Sequence, residues 1–220
     1  MLNIWGRRNS SNVQKVMWTI GELGLEFKRH TVGDSFGGLK TEEYRKLNPN
    51  AVIPVIDDDG VIIWESNVIV RYLSAKYGEG NLWPKDPAKR AVADQWMDWM
   101  QTTVGTDSGI IFMGLVRTPA DEQNHEAIAA AAKRLGYSYG ILDRHLASSK
   151  YVGGDSFSMG DIPLGVNLFR YFNIAVERPE LPHLQDWYQR LLERPAYREH
   201  VAFPFGSSLE EWLELEKAGR

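Results

Sequence analysis

The sequence of 220 residues contains no cysteine. Without a protein thiol, the chain cannot form a disulfide, a cysteine-ligated zinc site, a cysteine nucleophile or a CxxC redox pair. The five histidines show neither HExxH nor HxH spacing. We therefore expect no metal site.

Long apolar runs and a strong charge of one sign are also missing. No apolar run approaches the roughly 18 residues of a membrane span, and MLNIWGRR lacks the apolar region and cleavage site of a signal peptide. The chain has 25 basic and 29 acidic residues, a net charge of −4, and its basic pairs are isolated. These features predict a soluble cytoplasmic protein that binds neither membrane nor nucleic acid.

Hydrophobic periodicity predicts a small α/β unit in residues 1–78, with the element order β-α-β-α-β-β-α. The strands are expected in LNIW, LEFKRHTV and the two halves of VIPVIDDDGVIIW, which surround an Asp–Gly hairpin turn. The last helix opens at Glu65-Ser66, and its inner face carries Val68, Ile69, Tyr72 and Leu73.

Residues 79–88 are rich in glycine, proline and charge, which predicts a linker. From there to residue 220 no strand pattern remains, so we expect an all-helical second domain over 89–220. A long helix starts in PAKRAVADQWMDWM, and a second one lies in DEQNHEAIAAAAKRLGYSYGILDRHL. Further helices are predicted around 158–172, 181–193 and 208–217.

Two serine-containing stretches have helix-capping spacing. Ser158 and Asp161 fit a capping box, which would put Pro163 at the fifth helical position and bend the helix there. In NSSNVQKVMW, Ser11 and Gln14 fit the S-x-x-Q form of the same motif. The alternative for NSSN is that a hydroxyl faces a ligand at the positive end of the helix.

The paired motifs NPNAVIPVI and WESNVIVRYL resemble the NP-x-x-x-VP and ES-x-AI-x-xYL signature of the glutathione transferase family. The resemblance covers the whole chain, since residues 1–78 look like the family's thioredoxin-like domain and the remainder like its helical domain. SFSMGDIPL resembles the family's buried capping motif. The serine stretch is similar to the serine-type, theta- or zeta-like classes.

The resemblance implies a binding site for glutathione as co-substrate. In the family the proline at the position of Pro54 is cis, and the backbone of Ile53 would pair with the cysteinyl part of glutathione. The helix start at Ser66 would bind the γ-glutamyl carboxylate, and Glu65 the ammonium group.

Two further residues bear on contacts at the edge of this implied site. Val52 stands where the family often has Gln, Lys or Arg, so one side-chain contact with glutathione is missing. Lys40 is a candidate partner for the glycine carboxylate, and it also fits a solvated loop lysine.

The implied catalytic step is stabilisation of the glutathione thiolate by a hydroxyl, with Ser10, Ser11 and Asn12 as candidates. Family patterns place the hydroxyl five or four residues before a basic residue. If Lys15 is that basic residue, the hydroxyl belongs to Ser10 or Ser11. If Ser11 closes the capping box, Ser10 is freer to face the ligand. Glutathione brings the sulfur, so a chain without cysteine can still carry out thiol chemistry.

The acceptor pocket is expected between the serine stretch and the helical domain. Its candidate residues are Phe112, Met113, Phe203 and Trp212. The implied function is conjugation of glutathione to a small hydrophobic electrophile in detoxification, by a homodimer. Alternatives are another glutathione-dependent enzyme (dehalogenase, isomerase, ether-cleaving enzyme or peroxidase) and a non-catalytic binding module as in translation-factor relatives.

Overall fold

The computed structural model describes residues 1–219 and contains one four-stranded mixed sheet in the order β2-β1-β3-β4. The strands are β1 (Leu2–Trp5), β2 (Phe27–His30), β3 (Val55–Asp58) and β4 (Val61–Trp64). β1 is parallel to β2 and antiparallel to β3, and β3 is antiparallel to β4. Asp59 and Gly60 join β3 to β4 with φ angles of 52° and 92°, as the Asp–Gly turn requires.

Three helices accompany the sheet, namely α1 (Ser11–Leu23), α2 (Glu42–Leu47) and α3 (Ser66–Tyr77). The predicted order β-α-β-α-β-β-α is therefore confirmed. Apolar side chains of α1 and α3 pack with those of β1 and β3 in one buried cluster, formed by Leu2, Ile4, Val13, Val16, Met17, Ile20, Ile56, Ile69 and Leu73.

The predicted inner face of α3 is partly wrong. Val68 has 47% of its surface exposed, whereas Val70, which was not assigned to that face, is fully buried. The reason is that α3 is covered on two sides, because Ile69 packs against the sheet and Val70 joins the core of the helical part.

The helical part begins with α4 (Pro87–Trp99), which continues through a π-helical turn at Met100–Val104 into α5 (Gly105–Val116). The following helices are α6 (His125–Leu146), α7 (Asp161–Asn173), α8 (Pro182–Leu192), α9 (Pro195–His200) and α10 (Leu209–Ala218). The predicted all-helical second part is thus confirmed. The exact bounds of the linker stay a prediction, and α4 already starts inside the proposed range 79–88.

Helices α5 and α9 were not predicted from the sequence. α5 contains three glycines in GTDSGIIFMGLV, and each lowers intrinsic helix propensity by about 1 kcal/mol relative to alanine. α9 has only six residues, too few for a periodic pattern. Both depend on packing against neighbouring helices, because α5 contacts α6 and α9 contacts α1.

The capping motif before α7 surrounds a fully buried carboxylate, that of Asp161. Its Oδ2 accepts a hydrogen bond from the Ser158 amide at 2.9 Å, as the capping box predicts. Its Oδ1 accepts from the Val152 amide at 3.0 Å and from Trp187 Nε1 at 3.2 Å. Burial raises the pKa of the Asp161 carboxyl and these hydrogen bonds oppose the rise, so that the pKa is about 7.

The predicted position of Pro163 within α7 is wrong. The helix begins at Asp161, so Pro163 is its third residue rather than its fifth. The amide of the third residue has no partner inside the helix, so a proline there removes no hydrogen bond.

Trp18 of α1 makes a close contact between the sheet part and the helical part. Trp18 is fully buried and belongs to the core of the helical part. A Cβ at Gly165 of α7 would lie 2.8 Å from the Trp18 ring, so glycine is required there for the two helices to approach. The Gly165 carbonyl accepts a hydrogen bond from the Tyr197 hydroxyl at 2.8 Å, which ties α9 to the same contact.

We expect Asp161→Ala to lower the free energy of unfolding by about 3 kcal/mol, because three buried donors lose their acceptor. Urea denaturation at about pH 8 measures the loss. Asp155→Ala is the matched control, since Asp155 is an exposed acid in the same loop. A loss below about 1 kcal/mol in Asp161→Ala would show that the carboxylate does not hold this loop.

Candidate active site

The candidate site lies at one end of the sheet, where three connecting segments meet. Trp5 ends β1 and pairs with Val55, and Val55 pairs with Trp64 at the end of β4. The segment leading to α1, the Ile53-Pro54 pair and Glu65 therefore emerge at the same end. The sequence motifs at these three places are brought together by strand pairing.

The start of α1 differs from the predicted capping box. The N-cap residue is Ser10, with φ −71° and ψ 124°, and no side chain caps the helix. Ser11 is the first helical residue, so the predicted Ser11–Gln14 box is wrong. The first amides of α1 keep no side-chain partner, and such an N-terminus favours an anion.

Two adjoining cavities open at this end of α1. The first, which we call the polar cavity, has a volume of about 250 Å³ and is lined by polar side chains that include Asn12, Lys15, Glu65, Ser66 and Gln101. The second, which we call the arginine cavity, measures about 230 Å³ and is lined by Ser10, Phe112, Met113, Trp212 and three arginines, namely Arg7, Arg117 and Arg170. Both cavities share Ser11, Gly105 and Asn167 in their walls.

A buried amine lies in the wall of the polar cavity. Lys15 is 5% exposed, and its Nζ donates to Asn12 Oδ1 at 3.0 Å and contacts Ser66 Oγ at 3.5 Å. Ser66 Oγ in turn donates to Asn12 Oδ1 at 3.3 Å. These contacts tie the start of α1 to the start of α3.

The charge of Lys15 has no close counterion among residues 1–219, since no carboxylate there forms an ion pair with it. Burial, and to a smaller extent the charge of Arg170, lower the pKa of the Lys15 amine to about 7, while Glu65 opposes the shift. A buried cation without a counterion is suited to bind an anionic group.

The start of α3 is connected to the π-helical turn. Glu65 adopts φ 73° and Ser66 is the first residue of the helix. Asn67, which is 3% exposed, donates from Nδ2 to the Met97 carbonyl at 3.0 Å and to Gln101 Oε1 at 3.2 Å. The turn therefore places Gln101 in the polar cavity and fixes it to the segment that carries Ser66.

The Ile53-Pro54 peptide bond is cis, as the resemblance implied. Two side chains hold the residue before it, because the Val52 carbonyl accepts from the Tyr44 hydroxyl at 2.8 Å and from Asn48 Nδ2 at 2.9 Å. Ile53 and Pro54 precede β3 and do not belong to the walls of the two cavities. Exposed Lys40 lines neither cavity.

Three of the four predicted acceptor residues come together. Phe112, Met113 and Trp212 line the arginine cavity. Phe203 does not, because it lies in a separate cavity of about 190 Å³ with Arg8, whose guanidinium is 4.3 Å from the Phe203 ring centre. Two residues further along, Phe205 packs edge-on against Phe112, with the ring centres 5.8 Å apart.

Sequence reasoning missed the arginines and Asn67, and it used Lys15 only to choose between serines. One signal was present for Lys15, because it stands among Val13, Val16 and Met17 on a helix predicted to be packed. The arginines come from three distant parts of the chain, before α1, at the end of α5 and in α7. No local pattern connects them.

Two further observations concern ions and membranes. Among residues 1–219, no three His, Asp or Glu side chains are arranged to hold a metal ion. None of the helices formed by these residues combines the length and apolar character needed to cross a bilayer.

Comparison with known families agrees with this architecture. Residues 9–76 match the family model for the glutathione S-transferase N-terminal domain, and residues 126–190 match that for the C-terminal domain. The chain belongs to the glutathione S-transferase family. The family, the fold class and the enzyme class predicted from the sequence are confirmed.

Two relatives are similar over nearly the whole chain, and a third over part of it. The chain is 43% identical to glutathione S-transferase GstB of Escherichia coli over 93% of this chain and 99% of that protein. A theta class glutathione S-transferase from Xanthomonas axonopodis pv. citri, solved with glutathione bound, superposes with a TM-score of 0.90 at 47% identity, covering 93% and 99% of the two chains. Elongation factor 1-gamma 1 of rice is 31% identical over 72% of this chain and 38% of its own length.

The buried amine predicts a characteristic dependence of stability on pH. Because the folded pKa of Lys15 is lowered to about 7, the folded protein releases a proton above pH 7 that the unfolded chain keeps. The contribution to stability therefore rises with pH above 7. The free energy of unfolding of the wild type, relative to Lys15→Met, should increase by about 2 kcal/mol between about pH 7 and 9.

Denaturation at several pH values in both proteins measures this difference, with exposed Lys133→Met as the control. A difference that stays constant over this range would mean that Lys15 keeps its proton in the folded state.

Proposed function

We propose that this protein conjugates glutathione to an electrophile, with glutathione in the polar cavity and the electrophile in the arginine cavity. The observation that carries the proposal is that the two cavities meet at the uncapped N-terminus of α1. A thiolate at this junction would be stabilised by the helix amides and would face both cavities. The glutathione-bound relative supports the choice of thiol substrate.

The γ-glutamyl end of glutathione suits the start of α3. The amides there and the Ser66 hydroxyl can donate to its carboxylate, and Lys15, 3.5 Å from Ser66 Oγ, adds positive charge. Exposed Glu65 is the proposed partner of the ammonium group. The backbone of Ile53 before cis Pro54 is the proposed partner of the cysteinyl part, and Lys40 stays the predicted partner of the glycine carboxylate.

For thiol activation, Ser11 becomes the leading candidate among the three predicted residues. Ser11 lines both cavities, whereas Ser10 lines only the arginine cavity and Asn12 only the polar one. Ser10 was the preferred candidate only if Ser11 capped α1, and Ser11 does not cap it. The side-chain oxygen of Asn12, Oδ1, already accepts hydrogen bonds from Lys15 and Ser66.

The step itself needs little beyond a stabilised anion. A free thiol has a pKa of about 8.5, so only a few per cent is thiolate at neutral pH. A hydrogen bond from Ser11 and the amides of α1 would lower that pKa. The thiolate then attacks the electrophilic carbon, the carbon–sulfur bond forms, and the leaving group departs with its electron pair.

We expect Ser11→Ala to raise the pKa of the bound glutathione thiol by about one to two units, since one hydrogen bond to an anion contributes about 1.5–3 kcal/mol. Ser10→Ala is the matched control and should shift it by less. The ultraviolet absorbance of the thiolate, followed against pH in the glutathione complex of each variant, measures both shifts. A larger shift in Ser10→Ala would restore Ser10 as the activating residue, and no shift in either would leave Asn12 or the α1 amides.

We also propose that the protein is a homodimer, with the sheet part of one chain against the helical part of the other. Apolar side chains exposed on β4, α3 and α4 support an interface there, namely Val61, Ile62, Trp64, Val68 and Val92, each at least 37% exposed. Large apolar side chains left exposed on neighbouring elements favour a protein–protein contact.

Analytical ultracentrifugation should give about twice the chain mass of 25.0 kDa. Val68→Glu should shift the protein toward the monomer, because it places a charge in the proposed interface. Tyr137→Glu is the control, since Tyr137 is 73% exposed on α6 and lies outside this patch. A wild-type monomer at micromolar concentration would contradict the proposal.

Cytoplasmic location and a role in detoxification stay predictions. A dehalogenase, isomerase, ether-cleaving enzyme or peroxidase that uses glutathione would require the same thiolate. Product analysis with candidate electrophiles separates these reactions from simple conjugation.

A further inference from the structure

The arginine cavity combines an apolar wall with unusual positive charge. Phe112 and Trp212 contribute aromatic surface, and their rings pack edge-on with centres 5.2 Å apart. Guanidinium groups lie over both rings, because Arg170 is 3.9 Å from the Phe112 centre and Arg117 is 4.8 Å from the Trp212 centre. Among the described residues, no aspartate or glutamate belongs to the cavity wall.

Two of the three arginines have counterions outside the wall. Arg7 pairs with Glu216 at 2.7 Å, and Arg117 pairs with Asp34 at 2.5 Å. Asp34 also lies 3.4 Å from Arg7. These two carboxylates balance the charges of Arg7 and Arg117.

Arg170 is the third arginine and has no such partner. Its Nη2 donates to the Asn9 carbonyl at 2.8 Å, and no carboxylate of residues 1–219 lies within ion-pair distance of it. Burial, and to a smaller extent the fields of Arg7 and Arg117, lower the pKa of the Arg170 guanidinium to about 9. A partly buried cation that lines a cavity without a carboxylate partner favours an anionic ligand.

Other donors in the wall also lack partners. Within residues 1–219, the buried Arg117 Nε and Trp212 Nε1 donate no hydrogen bond. Buried donors of this kind are normally paired. Both atoms are also closed off from solvent, so a ligand in the cavity does not reach them and the case for an anionic ligand rests on Arg170.

We propose that the arginine cavity selects electrophiles that carry an oxyanion, such as a carboxylate, on an aromatic or apolar body. The oxyanion binds Arg170, the body lies against Phe112 and Trp212, and the reactive carbon faces Ser11. This inference rests on the proposed function and replaces the small hydrophobic electrophile by an anionic one. The glutathione thiolate itself is the competing anion for Arg170.

A matched pair of electrophiles tests the proposal, namely 4-chloro-3-nitrobenzoate and its neutral carboxamide. In both, the thiolate adds to the carbon that bears chlorine, the carbon–sulfur bond forms, and chloride leaves with the bonding electrons. The kcat/KM of each is divided by the rate constant of its uncatalysed reaction with glutathione, which removes the difference in intrinsic reactivity. The expected acid-to-amide ratio in the wild type is about 10 or more, since a charge-assisted hydrogen bond favours the anion by this factor.

Arg170→Gln should lower this ratio by about 10- to 100-fold, and Arg170→Lys should restore part of it. Arg117→Gln should lower it in the same direction, which keeps the test usable if Arg170→Gln does not fold. Arg144→Gln is the control, because it removes one exposed positive charge outside the cavity and should not change the ratio.

A wild-type ratio of one or less, or an unchanged ratio in both cavity variants, would overturn the proposal. If Arg170 serves the thiolate instead, Arg170→Gln slows both electrophiles equally and the ratio stays constant, which also overturns it. Calorimetry with unreactive 3-nitrobenzoate and 3-nitrobenzamide, in the presence of S-methylglutathione, decides the preference of the cavity without turnover. Tighter binding of the benzoate supports the proposal even if neither chlorinated compound reacts. A failure of both compounds to react would count only against the proposed function.

Discussion

Helix α1 is buried on all sides from Val13 to Ile20, and much of the molecule is arranged around this constraint. One side of the helix completes the core beneath the sheet, while Trp18 on another side enters the core of the helical part. A helix enclosed in this way has no solvent face for a charged residue. Lys15 must therefore end inside the protein, and the polar cavity is the place that receives its amine.

The same constraint accounts for the free N-terminus of α1. Burial of the helix body holds the helix without help from a cap, so no side chain is needed to satisfy its first amides. A cap there would occupy the amides that an anion can use. Packing energy supplied elsewhere thus leaves the functional end of the helix open.

Features set by neighbouring residues were predictable from the sequence. The Asp–Gly turn between β3 and β4 requires two positive φ angles that these residues adopt readily, and it was predicted correctly. The capping contact of Asp161 with Ser158 follows from equally local chemistry. The cis Ile53-Pro54 bond came from the family resemblance and not from the residues alone.

Features set by distant contacts were not predictable. The S-x-x-Q spacing at Ser11 satisfied the local rule, yet the helix starts one residue away from the position that the rule needs. The π-helical turn at Met100–Val104 is held by hydrogen bonds from Asn67 of α3. The sequence of the turn itself contains no pattern that predicts this contact. The arginine cavity likewise forms only when parts of the chain more than 100 residues apart are packed together.

Helix α10 closes the arginine cavity and is the last helix of the described chain to be synthesised. Helix α10 supplies Trp212 to the wall of the arginine cavity and Glu216 as a partner of Arg7. The residues that line the polar cavity, in contrast, all lie at or before position 167 in the chain. During translation, the groups proposed to bind glutathione can therefore assemble before the opposite wall has left the ribosome. The acceptor side of the site is the last to be completed, and the growing chain would hold a thiol-binding surface before it could enclose a second reactant.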